Sequence, residues 1–173
     1  LPYITNVRNG SSSTIPGLNN IYRNLLFSNY QVVSGVDTDD GSSYYNITSN
    51  VYVYGDMGLK TDYAGNNVYH TNNLYAYTQD AYNIWGYSGA DCIFVDNQVI
   101  LLNNFGYYSN CNLPAGSAGF TIYNNSVYVK SGKITVCGQS FEHWQSQGND
   151  PNTTIHNWPN NNDILSIAKH LLY

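Results

Sequence analysis

A set of carboxylate, lysine and aromatic side chains recurs at similar intervals along the first half of the chain. Counted from successive apolar strand residues, its members fall at nearly the same phase: Asp37, Asp39, Lys60, Asp62, Asn83 and Trp85. Carboxylate oxygens are the ligands that Ca²⁺ prefers, which makes Asp37, Asp39 and Asp40 candidates for a calcium site. The same groups could act on a sugar carbon, with a carboxylate as base and the lysine as electrophile. The catalytic candidates are Asp37, Asp39, Lys60 and Asp62.

This acidic set also has a simpler structural interpretation. The run of aspartate, glycine and serine over residues 39–43 is favourable turn sequence. Lys60 could pair with Asp39 or Asp62 without any chemistry. Calcium is therefore a possible cofactor that the sequence alone does not establish.

Aromatic side chains supply the candidates for sugar binding. Trp85 and Tyr87 follow the acidic set, and Tyr52 and Tyr75 belong to a column that we expect to face outward: Leu26, Tyr52, Tyr75, Ile100 and Tyr128, with Tyr54 and Tyr77 two residues further on. Exposed aromatic rows can stack on sugar rings or on a protein partner. The preference of tyrosine for β-strands explains the same column without any ligand.

The elements that would position these residues are short repeated strands. Five segments align on the central residues Leu25, Val51, Leu74, Val99 and Val127, at steps of 26, 23, 25 and 28 residues. Each segment alternates between apolar and other residues, which is typical of a strand, and the loose period is typical of a stacked solenoid. The sequence therefore predicts an all-β solenoid, a parallel β-helix in which one strand of each coil lies above the next.

The alignment also predicts which columns face the core. The five central residues and a second column, Phe27, Val53, Ala76, Leu101 and Val129, are expected to point inward. A polar column precedes them: Asn24, Asn50, Asn73, Gln98 and Ser126. Stacked amides at a bend can bond to one another and to backbone groups, so this column is expected to form a structural ladder.

The chain divides into three segments by composition. Residues 1–20 are polar and rich in glycine and serine, and we expect an irregular lead-in or a partial coil there. Residues 21–138 carry the repeats and form the coils. Residues 139–173 are expected to form a helical cap, because a solenoid must cover its last open coil. The apolar positions of residues 164–172 follow helical spacing and form one face.

The bulk composition narrows the functional classes. The formal net charge is −5, only 10 % of residues are charged and there are six basic residues, so we expect no nucleic-acid partner. No apolar run is long enough to span a bilayer, so we expect no membrane partner either. Four glycosylation sequons begin at Asn9, Asn46, Asn124 and Asn152, and in a lysine-poor, tyrosine-rich chain they favour a secreted, extracellular glycoprotein.

The three cysteines allow one intramolecular disulfide bond. Cys111 and Cys137 lie at nearly the same phase of adjacent coils, about one strand spacing apart, which suits disulfide geometry. Cys92 lies at a different phase beside apolar residues. We therefore predict a bond between Cys111 and Cys137 and a free, buried thiol at Cys92.

Several strings, residues 37–46, 58–63, 137–145 and 148–151, resemble uncharacterised secreted right-handed parallel β-helix proteins of the broad pectate-lyase-like group. The resemblance covers the chain from about residue 20 to its end and implies three parallel sheets wound into right-handed coils. Many such proteins bind, cleave, epimerise or eliminate acidic polysaccharides, and others are phage or surface fibres. The fold alone does not choose among these activities.

Two functional hypotheses follow. The first is an extracellular domain that interacts with carbohydrate, either as a relative of polysaccharide lyases and hydrolases or as an inactive binding module. The second is a structural subunit of a fibre or matrix, whose partner is another copy of itself stacked end to end into a filament. Whether the chain is an enzyme stays open, and an open groove at the acidic set would favour the first hypothesis.

Overall fold

The computed structural model of the chain describes residues 17–29, 36–38, 41–61, 65–84, 91–108 and 120–173. The strands in these ranges are β1 (Asn19–Tyr22), β2 (Leu25–Asn29), β3 (Val36–Thr38), β4 (Tyr45–Thr48), β5 (Val51–Thr61), β6 (Val68–Thr71), β7 (Leu74–Ile84), β8 (Cys92–Val95), β9 (Gln98–Leu101), β10 (Phe120–Tyr123), β11 (Ser126–Val129), β12 (Thr135–Val136), β13 (Gln139–Ser140) and β14 (Thr154–Asn157). The helices are α1 (Phe141–Ser146) and α2 (Asn161–Leu172).

The strands form a parallel solenoid of about five turns, which confirms the predicted fold class. One sheet has the order β1-β4-β6-β8-β10, and the other has the order β14-β11-β9-β7-β5-β2, with β3 beside the second half of β5. Each short strand of the first sheet is followed by a strand of the second sheet, so each coil contributes to both. The right-handed winding, which the resemblance implies, stays a prediction.

A two-residue corner joins the sheets in every coil. Its first residue has a left-handed backbone, with φ between 53° and 58°: Arg23, Ser49, Asn72, Asp96 and Asn124. Its second residue is an asparagine that stacks on its counterparts: Asn24, Asn50, Asn73, Asn97 and Asn125. The Asn73 carboxamide oxygen accepts the backbone N–H of Asn50 at 2.9 Å, and the pattern repeats along the column. The asparagine ladder therefore fixes the register of the coils.

The predicted ladder is wrong at Gln98 and Ser126, because its register slips by one residue after the third coil. Leu74 pairs with Gln98, not with Val99, so the ladder residues of the last two coils are Asn97 and Asn125. The prediction aligned apolar residues, whereas the bonded amide at the corner sets the true register.

The predicted inward and outward columns are exchanged in the second and third coils. Tyr52 is 3 % exposed and Tyr75 is fully buried, and their rings stack inside the solenoid at 5.0 Å. Val51 and Leu74 point instead to the outer face, where they join a separate apolar cluster. The prediction that Tyr52 and Tyr75 are exposed is therefore wrong. Both faces of this sheet are buried, so apolar alternation does not identify the inner one.

The segment after residue 138 covers two different surfaces. In α1, Phe141 and Trp144 are buried in the interior cluster, and Ser140 caps the helix by accepting the N–H of His143. The longer α2 lies against the outer face of the second sheet, where Leu171 packs with the apolar cluster that contains Val51. Its other contacts come from Ile164, Ile167, Ala168 and Leu172. The predicted C-terminal helix is thus confirmed as α2, which covers the flank, whereas β14 in the same segment pairs with β11 and extends the second sheet.

Candidate functional site

The described part of the acidic set lies on one wall, as the spacing predicts. Asp37, Lys60 and Asn83 occupy the same register position on β3, β5 and β7. The Lys60 Nζ lies 3.4 Å from Asp37 Oδ1, and the two side chains are 17 % and 31 % exposed. The remaining predicted members, Asp39, Asp40, Asp62, Trp85 and Tyr87, lie outside the described residues.

What the structure shows at this wall is an ion pair between adjacent strands. Behind it, the hydroxyls of Thr38 and Thr61 lie 2.6 Å apart, and Thr38 also donates to the Lys60 carbonyl. The carboxylate seen to pair with Lys60 is Asp37, whereas the predicted partners Asp39 and Asp62 lie outside the described residues. Within the described ranges, no group of three or more histidine, cysteine, aspartate or glutamate side chains could hold a metal.

A different row of aromatic rings is exposed on the outer surface. Tyr54 and Tyr77 are 5.2 Å apart and nearly parallel, at an interplanar angle of 18°. Phe27 meets Tyr54 edge to face at 5.5 Å, and Trp158 meets Tyr77 in the same way at 5.7 Å. Phe27 is 65 % exposed, whereas Tyr54 and Trp158 are each 37 % exposed. The exposed row therefore lies at the end of the strand face and not at Tyr52 and Tyr75.

The backbone explains why these two tyrosines point outward. Tyr54 and Tyr77 have φ values of 60° and 61°, in the left-handed region, at the bends of the long strands β5 and β7. A left-handed residue interrupts the strict alternation of a strand, so the chain changes direction there and the side chain leaves the sheet. Ser28, with φ of 62°, occupies the equivalent position of the first coil.

The tyrosine row borders a groove that runs across successive coils. One depression has a volume of about 120 Å³ and is lined by Tyr54, Gly55, Asp56, Tyr77, Gln79 and Leu102. A second, of about 200 Å³, shares Leu102 and continues along Asn103, Asn104, Val129, Lys130 and Ser131. We call the two depressions together the tyrosine groove. Aromatic and apolar atoms line its first half, and polar groups line its rim.

The wall of the groove is held in place by the chain around Asn103. The Asn103 side chain donates to the Gln79 carbonyl at 2.8 Å and accepts the N–H of Gly106 at 2.6 Å. A Cβ atom at Gly106 would lie 1.9 Å from the Gln79 carbonyl oxygen, so only glycine allows this close approach. The backbone beneath Gln79 is therefore held rigidly.

Among the described residues, Asp56 is the carboxylate that lines the tyrosine groove, whereas Asp80 lines neither depression. Asp56 is exposed on the groove rim, and Asp80 is half-buried on the adjacent strand. Burial, followed by the nearby charge of Asp56, raises the pKa of Asp80 above its ordinary value. Within the described residues, neither carboxylate makes a hydrogen bond or an ion pair. The groove thus carries negative charge that the described residues leave uncompensated.

The titratable groups of the interior are sealed from solvent. The His70 Nδ1 lies 2.7 Å from the Tyr75 hydroxyl, and burial lowers the pKa of His70 to about 3. Burial raises the pKa of Asp150 to about 6 and that of Cys92 to about 11. Cys92 is a free, buried thiol, as predicted. Burial assigns His70 and Cys92 to the core, whereas Asp150, although only 3 % exposed, also lines a surface depression of about 260 Å³ together with Tyr123 and Gly148.

The remaining predicted modification sites are only partly described. Asn46 donates to Asn20 on the sheet surface, Asn124 bonds to Asp96, and Asn152 lies exposed in a turn. Among these three sequons, Asn152 presents its side chain most openly. Asn9 lies outside the described residues, as does Cys111, so the bond between Cys111 and Cys137 stays a prediction, although Cys137 is not a free thiol.

The sequence contains a signal for the groove that the strand alignment did not use. Tyr54 is followed at two residues by Asp56, and Tyr77 is followed at two residues by Gln79, at the same step of 23 residues. Leu102 continues this step on the next coil, 23 residues after Gln79, whereas Trp158 follows β14 and has no such signal. Comparison with protein-family models, curated proteins and solved structures finds no match to this chain.

Proposed function

We propose that this chain is an extracellular domain that binds carbohydrate in the tyrosine groove. The observation that carries the proposal is the exposed row around Tyr54 and Tyr77, which lies beside the polar side chains of Asp56 and Gln79 in one depression. Aromatic rings contact the apolar faces of sugars, and carboxylate and amide groups bond to their hydroxyls. A polysaccharide is therefore the proposed partner.

The solenoid suits this task because the groove is preformed. Tyr54 and Tyr77 lie on strands that pair continuously in parallel, and the ladder at Asn50 and Asn73 fixes their register. Binding to a rigid surface requires little ordering of the protein, so more of the contact energy remains as affinity. A groove that crosses several coils also fits an elongated glycan better than a single small molecule.

We also propose that the chain is secreted and that it is related to the β-helix proteins that its sequence resembles. The sequons at Asn46, Asn124 and Asn152 and the predicted bond between Cys111 and Cys137 support a secreted glycoprotein. The parallel solenoid supports the resemblance to the right-handed, pectate-lyase-like β-helix proteins at the level of fold. The proposal is limited to binding, because Asp37 and Lys60 neutralise each other in the described part of the acidic wall.

A glycan array with the purified glycoprotein tests the proposal. Replacing Tyr54 and Tyr77 together by alanine should abolish binding to every glycan that the unmodified protein retains. Tyr123→Ala is the matched control, because Tyr123 and Tyr54 are both 37 % exposed but Tyr123 lies on β10, outside the groove. Absence of binding across the array, or equal binding by the double variant, would refute the proposal.

A structural subunit of an extracellular fibre is the second candidate. It is favoured by exposed apolar side chains on the first described coil: Leu18, Tyr22, Leu25, Leu26 and Phe27. Such a patch can mark a contact between protein copies. End-to-end stacking is opposed at the other end, where Phe141 and Trp144 of α1 cover the interior. Electron microscopy and sedimentation velocity over a range of concentrations decide between filaments and dispersed particles.

A further inference from the structure

The peptide bond between Asp150 and Pro151 combines a reactive sequence with a strained backbone. Of the five prolines in the chain, Pro151 is the one that follows an aspartate. An aspartyl–proline bond is unusually sensitive to acid, because the side-chain carboxyl can attack its own carbonyl carbon and the tertiary amide nitrogen of proline leaves readily as an amine. Asp150 has a φ of 47°, in the left-handed region, whereas a following proline favours an extended backbone. Breaking this bond therefore relieves strain.

The groups around the bond are placed to assist its cleavage. The Gln145 carboxamide donates to the Asp150 carbonyl oxygen at 3.0 Å, where negative charge develops when the carbonyl carbon is attacked. The Thr153 hydroxyl donates to Oδ1 of the Asp150 carboxyl, and Oδ2 has no hydrogen-bond partner among the described residues. The depression of about 260 Å³, which Asp150 and Pro151 both line, gives water a path to the bond.

Burial keeps the Asp150 carboxyl protonated at mildly acidic pH, because it raises the pKa to about 6. Tyr123 lines the same depression, and Tyr82 and Tyr107 face Asp150 from the interior. Burial raises the pKa of Tyr82 and Tyr107 well above the ordinary value, so both phenols stay neutral. The proton that changes place near pH 6 is therefore that of Asp150.

We propose that the folded chain cleaves its own peptide bond between Asp150 and Pro151 at mildly acidic pH. Oδ2 of Asp150 bonds to the carbonyl carbon of the same residue, the carboxyl proton moves to the Pro151 nitrogen, and the C–N bond breaks. This step leaves a five-membered cyclic anhydride at Asp150 and a free amine at Pro151. Water then adds to the anhydride and gives two carboxyl groups, so the net reaction is hydrolysis of one peptide bond.

Cleavage would separate the segment that covers the flank of the solenoid from the coils. The segment after Asp150 contains β14, which pairs with β11, and α2, which packs on the outer apolar cluster. These contacts hold the cleaved segment without a covalent link. The reaction would thus produce a two-chain protein from which α2 can be detached.

The test incubates the intact purified protein at pH 4, 5, 6, 7 and 8 and follows its mass by mass spectrometry. A fragment that begins at Pro151 should accumulate, with a rate that rises as the pH falls and is half-maximal near pH 6. The same protein unfolded in urea keeps the bond but loses the strain and the Gln145 contact. At pH 5 the folded protein should be cleaved at least about tenfold faster than the unfolded one, which corresponds to about 1.4 kcal/mol of activation free energy.

Two variants test the roles of the reacting groups. Pro151→Ala replaces the tertiary amide by a secondary one and should leave the bond intact, whereas the matched control Pro159→Ala, at a proline that follows a tryptophan, should be cleaved like the unmodified protein. Gln145→Met removes the donor to the carbonyl and should slow cleavage by at least about tenfold without moving the pH midpoint. The absence of fragments from the folded protein at pH 5, equal rates in the folded and unfolded states, or cleavage that persists in Pro151→Ala would overturn the inference. The comparison of folded with unfolded protein requires no variant to fold.

Discussion

Asp150 gives the sharpest test of how the coil end is built. The side chain is 3 % exposed, and one carboxylate oxygen accepts a hydrogen bond from the Thr153 hydroxyl while the other has no hydrogen-bond partner. Thr153 is the last rung of the ladder, because its hydroxyl accepts the N–H of Asn125 at 2.8 Å. Burial raises the pKa of Asp150 from 3.8 to about 6, and the interactions with the hydroxyls of Thr153 and Tyr107 only partly offset that shift.

The raised pKa fixes the sign and size of a pH effect on stability. The native state holds the proton of Asp150 more tightly than the unfolded state does, so the protonated carboxyl stabilises the fold. This contribution is fully present below pH 4 and is lost as the pH rises through about 6. A shift of roughly two pKa units corresponds to about 3 kcal/mol at about 1.4 kcal/mol per unit.

Asp150→Asn removes the charge and keeps the shape and the acceptor for Thr153. The free energy of unfolding of the variant should match that of the unmodified protein at pH 4 and exceed it by up to about 3 kcal/mol at pH 7. Urea denaturation followed by tryptophan fluorescence at pH 4, 5, 6 and 7 measures the difference. Asp91→Asn, at an exposed aspartate, should show no such trend. A constant difference across this pH range, or a variant that is less stable at pH 7, would refute the assignment.

Three further substitutions test the rest of the fold, and urea denaturation measures each. Tyr75→Ala should lower the free energy of unfolding by about 3–5 kcal/mol, because it leaves a cavity in the interior stack; a loss below 1 kcal/mol would contradict the inward orientation. Asn73→Ala should lower it by about 2–5 kcal/mol, since buried backbone groups lose their partners, whereas Asn24→Ala at the exposed end of the ladder should have a smaller effect. Gly106→Ala should lower it by about 1–3 kcal/mol and weaken glycan binding, because the new Cβ displaces the Gln79 backbone; unchanged binding would separate this loop from the groove.

The strand positions could be predicted because they depend on local pattern. The apolar alternation around Val51, Leu74 and Val127 correctly located strands of the second sheet, and the loose repeat correctly predicted a parallel solenoid. The prediction that Asp37, Lys60 and Asn83 share one wall was also correct, because β3, β5 and β7 pair in one register. Local spacing is sufficient wherever consecutive coils have similar lengths.

The orientation of the second sheet could not be predicted from alternation. Val51 and Leu74 are buried beneath α2, and Tyr52 and Tyr75 are buried inside the coils, so apolar side chains occupy both faces. The interior face is the one that α2 does not cover, and this helix lies more than 80 residues away in sequence. The contact of Trp158 with Tyr77 was missed for a related reason, because Trp158 reaches the tyrosine row from beyond β14.

The backbone at the groove supports a role for the tyrosine rings themselves. A side chain other than glycine or asparagine in the left-handed region raises the free energy by about 1–2 kcal/mol, yet both Tyr54 and Tyr77 adopt it. At the ladder corners of the third and fifth coils, Asn72 and Asn124 adopt the same backbone conformation, which asparagine tolerates better than tyrosine does. Ring stacking at 5.2 Å contributes about 0.5–1.5 kcal/mol and so offsets part of this local strain. Arg23, Ser49 and Asp96 adopt the same conformation at the ladder corner, so the bend itself belongs to the coil. What distinguishes Tyr54 and Tyr77 is that their rings stack on each other in the groove that Asp56 also lines.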